Sequence, residues 1–163
     1  MASDRTRAVG MGELAISHSD EVLAAYGLGS CVGVAAWDPV ARVGGLAHVM
    51  LPSSAMGRQP EAPGRFADTA VPTVVAALTR QGADKGRLIL KIAGGAQVLA
   101  LGGAGNTLAI GEKNVAAVRQ VLRQLGLSLA AEDVGGSNGR TMLLHVATGQ
   151  VTVQTVGQAA RTL

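Results

Sequence analysis

Cys31 is the one cysteine of the 163-residue chain, and it follows the turn-forming run Gly27-Leu-Gly-Ser30. Glycines immediately before a nucleophile allow a tight turn and leave backbone N–H groups unshielded, where they can stabilise an oxyanion. A free thiol has a pKa of about 8.5 and is only roughly 3% ionised at neutral pH, so it needs a neighbouring base. The pattern predicts a cysteine nucleophile with oxyanion donors around Gly29 and Ser30.

His48 is the candidate for that base. The apolar run Cys31–Trp37 ends at the turn residues Asp38-Pro39, and a second run, Val43–Leu51, follows, which is typical of a β-hairpin. Such a hairpin returns His48 to the start of the strand that Cys31 opens, so the imidazole can accept the thiol proton. Spacing alone leaves two other interpretations open, namely Cys31 as a small buried hydrophobe and His48 as a hydrogen-bonded core residue.

Metal and nucleotide sites are not indicated by the sequence. The other histidines, His18 and His145, are dispersed along the chain, so no metal-ligand spacing exists, and neither a metal nor a cofactor is expected. Gly27-Leu-Gly29 would need a glycine where Val32 stands to form a dinucleotide-binding motif. Gly102–Asn106 lacks the Gly-Lys-Ser/Thr of a phosphate-binding loop, and we interpret its glycines as tight turns and close packing.

The elements that must position these residues follow from the hydrophobic pattern. A helix is predicted to start at Asp68 or Thr69, either of which can cap it, and to stop at Gly82. A second helix carries the apolar stripe of Val115–Leu125 and ends at Gly126. Further strands are predicted over Gly12–Ser17, Glu21–Tyr26, Arg87–Ala93, Leu127–Val134, Thr141–Ala147 and Gln150–Val156.

Strands outnumber helices, and several form sequential hairpins, which predicts an α+β fold. We expect a single-domain layered sandwich of mixed, largely antiparallel β-sheet with about two main helices over residues 11–163. Residues 1–10 are polar and are predicted to be a flexible N-terminal arm. Pro52–Arg65 is rich in proline, glycine and serine, and we expect a loop that could cover the site as a flap.

The composition argues against several classes of partner. With 14 basic and 11 acidic residues and 2% aromatic residues, the chain has no basic stripe with stacking aromatics, so no nucleic-acid partner is expected. No uncharged apolar run is long enough to cross a bilayer, and no signal peptide is recognisable, so membrane insertion is not expected. A single cysteine agrees with a reducing compartment, and the predicted location is the cytoplasm.

Several short segments, taken in order, resemble one known family. The match runs from about residue 12 to residue 156, and its first two segments are the most specific. The segments are Leu28-Gly-Ser-Cys-Val32, Gly44-Gly-Leu-Ala-His-Val-Met-Leu-Pro52, Phe66-Ala-Asp-Thr-Ala70, Lys91-Ile-Ala-Gly-Gly-Ala96, Ile110-Gly-Glu-Lys-Asn114, Ala131-Glu-Asp-Val-Gly-Gly136 and Asn138-Gly-Arg140. Together they are similar to the chemoreceptor glutamine deamidase family, CheD.

This resemblance implies an enzyme that converts specific glutamines in the cytoplasmic helices of chemotaxis receptors to glutamate. It implies Cys31 as the nucleophile that forms a thioester with release of ammonia, and His48 as general base and acid. It also implies a CheC-like phosphatase as a partner and, for some members, hydrolysis of receptor methyl esters. The alternative is a weakly catalytic or non-catalytic binding partner that regulates a CheC-type phosphatase. A papain-like protease is disfavoured because the cysteine signature of that family is absent.

Ala25 departs from the family pattern. A threonine often stands about six residues before the cysteine in this family and is thought to orient the histidine, whereas Ala25 has no hydrogen-bonding side chain. Three groups could replace the threonine: Ser30, Tyr26 or a backbone carbonyl.

Overall fold

The computed structural model describes residues 5–18, 20–57, 62–97 and 110–163. These residues form ten strands and two α-helices. The strands are β1 Arg5–Ala8, β2 Leu14–Ser17, β3 Glu21–Leu28, β4 Val32–Asp38, β5 Val43–Val49, β6 Ile89–Gly94, β7 Leu129–Val134, β8 Arg140–His145, β9 Gln150–Thr155 and β10 Arg161–Thr162. The helices are α1 Ala67–Arg80 and α2 Ile110–Gln124.

The strands form two five-stranded sheets. One sheet has the order β1-β3-β8-β9-β10, and the other has the order β2-β5-β4-β6-β7. The pairs β1–β3 and β6–β7 are parallel, and the remaining pairs are antiparallel. The predicted fold class, an α+β sandwich of largely antiparallel sheet with two main helices, is therefore confirmed.

Strand β4 lies at the centre of the second sheet and separates two hydrophobic cores. Val32 and Val34 face the core shared with the helices, while Cys31 and Ala35 face the core between the two sheets. A strand that is buried on both faces has a continuous apolar sequence, which explains why apolar and polar residues do not alternate along β4. The sheets approach closely: a Cβ at Gly33 would lie 2.7 Å from the sulfur of Met142.

The turn of the β4–β5 hairpin is fixed by a fully buried carboxylate, that of Asp38. It accepts hydrogen bonds from the amides of Val40, Ala41 and Asp84 and from the guanidinium of Arg87. Burial raises the pKa of Asp38, but the hydrogen bonds, led by that of Arg87, outweigh burial and hold the pKa well below its usual range. These bonds pin the far end of the hairpin that carries Cys31 and His48.

The structure contains two short edge strands, one near each end of the described residues, that were not among the predicted strands. In the predicted arm, Arg5–Ala8 forms edge strand β1, which pairs with β3, while residues 1–4 lie outside the described part. All four side chains of β1 are exposed, so the sequence gives no apolar alternation there. The short strand β10 was also not predicted; it too has exposed side chains.

The predicted cap of α1 was wrong. The helix starts at Ala67 with Phe66 at the N-cap position, so Asp68 lies inside the first turn. The Asp68 carboxylate instead accepts hydrogen bonds from the backbone N–H and the hydroxyl of Ser54, and the Thr69 hydroxyl donates to the carbonyl of Pro63. Both side chains therefore bind the segment that precedes the helix and do not cap the first helical N–H groups. The glycine-rich stretch 102–106 lies outside the described residues.

Candidate active site

Cys31 lies in the connection between β3 and β4, one residue before β4 begins. The residues after β6 hold this connection: the N–H of Gly95 donates to the Cys31 carbonyl at 2.8 Å, and the N–H of Ala96 donates to the Gly29 carbonyl at 2.7 Å. Gly94 has a φ of 113°, and a Cβ there would overlap the Cys31 carbonyl oxygen. The segment can therefore pass beside the thiol residue only because glycine stands at this position.

His48 shares a sheet face with Cys31. It pairs directly with Gly33 across the β4–β5 hairpin, and Cys31 lies two residues before Gly33. Because side chains alternate along a strand, Cys31, Gly33 and His48 project into the space between the two sheets. Diagonal neighbours of this kind lie about 7–8 Å apart, within reach of a ring side chain. The β4–β5 hairpin, which the sequence predicted, thus places the two candidate residues on one face of the sheet.

The imidazole of His48 is held by a backbone carbonyl. Its Nδ1 lies 2.9 Å from the carbonyl oxygen of Val9, and the N–H of Val9 in turn donates to Ala24 at 2.7 Å. A carbonyl oxygen can only accept, so Nδ1 carries the proton and Nε2 has the free lone pair in the neutral ring. His48 is only 2% exposed, and Nε2 has no hydrogen-bond partner among the described residues. This tautomer suits a general base.

This contact distinguishes between the three candidate partners of the His48 ring. Ala25 is fully buried and supplies no polar group, and Tyr26 is 53% exposed. Nδ1 of His48 donates to the Val9 carbonyl and not to Tyr26 or Ser30, so the contact in the structure corresponds to the backbone-carbonyl alternative. The oxyanion role of Gly29 and Ser30 stays a prediction.

The electrostatic environment favours the uncharged forms of both groups. Burial raises the pKa of the Cys31 thiol, an effect that the Cys31 backbone N–H partly opposes. Burial lowers the pKa of His48, against smaller opposing effects from the Val9 carbonyl and the negative charge of Glu13. Both shifts favour a thiol and a neutral imidazole over an ion pair, and a neutral imidazole is the form that a general base requires.

Two groups at the site were not identified by the sequence analysis. The first is the Val9 carbonyl: a backbone carbonyl was among the alternatives, but a backbone atom leaves no sequence signal that shows which residue supplies it. The second is Asn114 of α2, which is fully buried and donates from Nδ2 to the carbonyls of Ser30 and Met50. One signal was available: Asn114 lies one turn before Val118, so a polar residue extends the apolar stripe of the helix.

An open cleft of about 410 Å³ borders the connection before Cys31. Its lining includes Gly27, Gly29, Arg140, Thr141 and Gln154. Among the residues that the structure describes, no group of three or more His, Cys, Asp or Glu side chains is placed to hold a metal ion. Within the same residues, no helix is long and apolar enough to cross a membrane.

Comparison with known proteins agrees with the resemblance in the motifs. A family model described as "CheD chemotactic sensory transduction" matches residues 50–155. The chain is 51% identical to the "Probable chemoreceptor glutamine deamidase CheD" of Symbiobacterium thermophilum, with 100% of both chains covered. It is 44% identical to the "Chemoreceptor glutamine deamidase CheD" of Thermotoga maritima, over 93% of this chain and 92% of that protein. It is also 44% identical to the "Probable chemoreceptor glutamine deamidase CheD" of Moorella thermoacetica, over 95% of this chain and 93% of the relative. The chain therefore belongs to the CheD family.

Proposed function

We propose that this protein is a protein-glutamine deamidase that converts specific glutamines of chemotaxis receptors to glutamate. The names of its relatives support the reaction and the substrate class. The observation that carries the proposal for this chain is the geometry of His48. Nδ1 is bound to the Val9 carbonyl, and Nε2, which has no hydrogen-bond partner among the described residues, lies on the face that also bears Cys31.

The chemistry proceeds in two halves. Nε2 of His48 removes the thiol proton as Cys31 Sγ bonds to the amide carbon of the glutamine side chain. The oxyanion is stabilised by backbone N–H groups near Ser30 and Cys31. The imidazolium then gives its proton to the departing nitrogen. The C–N bond breaks, ammonia is released, and the substrate acyl group remains bound to Cys31 as a thioester. In the second half, neutral His48 removes a proton from water as the water oxygen bonds to the thioester carbon. The C–S bond then breaks, the imidazolium returns its proton to the Cys31 sulfur, and glutamate is released.

Access to the thiol fits a substrate that inserts a single side chain. Cys31 is only 8% exposed, so a folded receptor helix can reach it only through an extended, flexible side chain such as that of glutamine. The cleft beside Gly27 and Gly29 is the approach we infer for that side chain. The receptor segments that carry such glutamines are cytoplasmic helices, and the protein accordingly acts in the cytoplasm.

The test is incubation of the protein with receptor cytoplasmic fragments, followed by mass spectrometry of the glutamine-containing peptides. We expect the mass shift of amide-to-acid conversion at a small set of glutamines, and we expect Cys31→Ser to abolish it. Serine is the matched control because it keeps the size of the side chain and replaces only the nucleophilic atom. An undiminished shift with Cys31→Ser, or no shift with the intact protein, contradicts the proposal.

A second candidate function is regulation of a CheC-like phosphatase, in which this chain acts as a binding partner. The observation behind it is Ala25, which lacks the hydroxyl that the family motif often supplies. The Val9 carbonyl fills that role for His48, which favours the catalytic function. Phosphatase assays with and without this chain test the regulatory role, and the Cys31→Ser variant should retain it. No complex and no change in phosphatase rate would remove this candidate.

A further inference from the structure

Asn114 lies where helix α2 meets the end of the hairpin that carries Cys31 and His48. Its Nδ2 donates to the carbonyl oxygens of Ser30 and Met50, at 2.9 Å each. Ser30 immediately precedes Cys31, and Met50 is two residues after His48. One amide group therefore joins the two chain segments that hold the candidate nucleophile and the candidate base.

The sheet itself does not supply this connection. The β4–β5 ladder ends at the pair Val32–Val49, so Ser30 and Met50 lie beyond the last pair. Two carbonyl oxygens cannot hydrogen-bond to each other, whereas a primary amide has two N–H donors and can bind both. The two acceptors also fix the orientation of the Asn114 amide, because only its nitrogen can donate to them.

The other contacts to this connection do not reach the histidine strand. The carbonyls of Gly29 and Cys31 are bound by the amides of Ala96 and Gly95, which follow β6 on the opposite side of β4 from β5. Among these contacts, Asn114 is the one that spans from the Cys31 side to the β5 side.

Stability alone does not account for asparagine at this position. The residue is fully buried in a helix face whose other buried members are largely apolar, and its Oδ1 has no hydrogen-bond partner among the described residues. A buried acceptor without a partner opposes folding. Departures from consistent packing of this kind are expected where a residue serves function.

We propose that Asn114 is a positioning residue for the Cys31–His48 pair. Its two N–H groups fix the separation of Ser30 and Met50, and this fixed separation holds the thiol within reach of Nε2 of His48. The catalytic part of this inference rests on the proposed deamidase function, whereas the positioning of the thiol does not.

The first test is steady-state deamidation by Asn114→Ala. We expect kcat to fall by about 10- to 100-fold, because small misplacements of reacting groups cost rates of this order, while KM for the receptor fragment changes by less than about threefold. Asn114→Ser keeps one donor and should lose less, and it replaces the alanine variant if that variant does not fold. The matched control is Val118→Ala, one turn along the same helix face, which removes buried packing without touching either carbonyl.

The second test needs no deamidation. Cys31 is the only thiol, so modification by iodoacetamide reports on it alone. In folded Asn114→Ala we expect alkylation to be at least about threefold faster than in the wild type, because the released connection exposes the thiol, and Val118→Ala should stay within about twofold. The inference is overturned if the Asn114 variants are alkylated at the wild-type rate, or if Val118→Ala lowers kcat as much as Asn114→Ala does. If no variant, including the wild type, deamidates, the alkylation rates still decide it, and the failure lies with the proposed function.

Discussion

The thiol of Cys31 should react slowly with alkylating agents at neutral pH and much faster in alkali. Burial raises the pKa of Cys31 above the usual value of about 8.5, so less than roughly 3% of the thiol is ionised at pH 7. Burial also lowers the pKa of His48 below about 6.5, so more than roughly three quarters of the imidazole is neutral at that pH. The neutral ring does not provide the positive charge that would stabilise a thiolate.

The assay is the initial rate of iodoacetamide modification between about pH 6 and pH 9.5, followed by mass spectrometry. Between pH 7.0 and pH 8.5 the rate should rise about 30-fold, because the thiolate fraction increases tenfold per pH unit below the pKa. The same chain unfolded in urea is the matched control. Its inflection should lie near 8.5, which is lower than that of the folded protein, because unfolding removes the burial.

A thiolate–imidazolium pair at rest would give a different profile. The rate would then change by less than about threefold from pH 6 to pH 8.5, and this result would refute the assignment of a thiol and a neutral base. For deamidation itself, kcat/KM should rise as the pH increases through the pKa of His48, below about 6.5, and should level off near pH 7. The reason is that only the neutral imidazole can accept the thiol proton.

Two further predictions test the elements around the site. Deletion of residues 1–9 removes the Val9 carbonyl and should lower kcat by about 10- to 100-fold with little change in KM, because Nδ1 of His48 loses its partner; deletion of residues 1–4 is the control and should leave kcat unchanged. Equal rates for the two deletions would contradict the orienting role. Asp38→Asn should lower the free energy of unfolding by roughly 2–4 kcal/mol at neutral pH, measured by urea denaturation. Because the folded pKa of Asp38 is lowered, its contribution is present above about pH 4 and is lost as the pH falls further, so the difference between wild type and variant should shrink in acid.

Much of the site framework could be predicted from the sequence, because it depends on local patterns. The turn residues Asp38-Pro39 between two apolar runs predicted the hairpin, and the structure pairs Val32 with Val49 as that hairpin requires. The end of the apolar stripe predicted that the second helix stops at Gly126, and α2 ends two residues before that glycine. These features are encoded within a few residues of where they occur.

The remaining features depend on contacts between distant parts of the chain. The partner of His48 is a backbone atom 39 residues away, and any residue type could have provided it. Asn114 contacts Ser30 across 84 residues, so its role becomes visible only when α2 is packed against the hairpin. The cap of α1 was mispredicted for a related reason: the Asp68 carboxylate has the correct chemistry for a cap, but the neighbouring Ser54 occupies it.

Strand β1 connects catalysis to the local stability of the N-terminus. It is an edge strand of four residues with exposed side chains, paired on one side with β3, and the residue that follows it holds His48. Short edge segments with little buried surface open locally at a lower free energy than the core does. A molecule in which β1 and Val9 are detached loses Val9 from the core between the two sheets and keeps the core shared with the helices, but its imidazole is free to rotate and to exchange tautomers. Under the proposed mechanism, we therefore expect activity to decline on warming before the domain unfolds cooperatively.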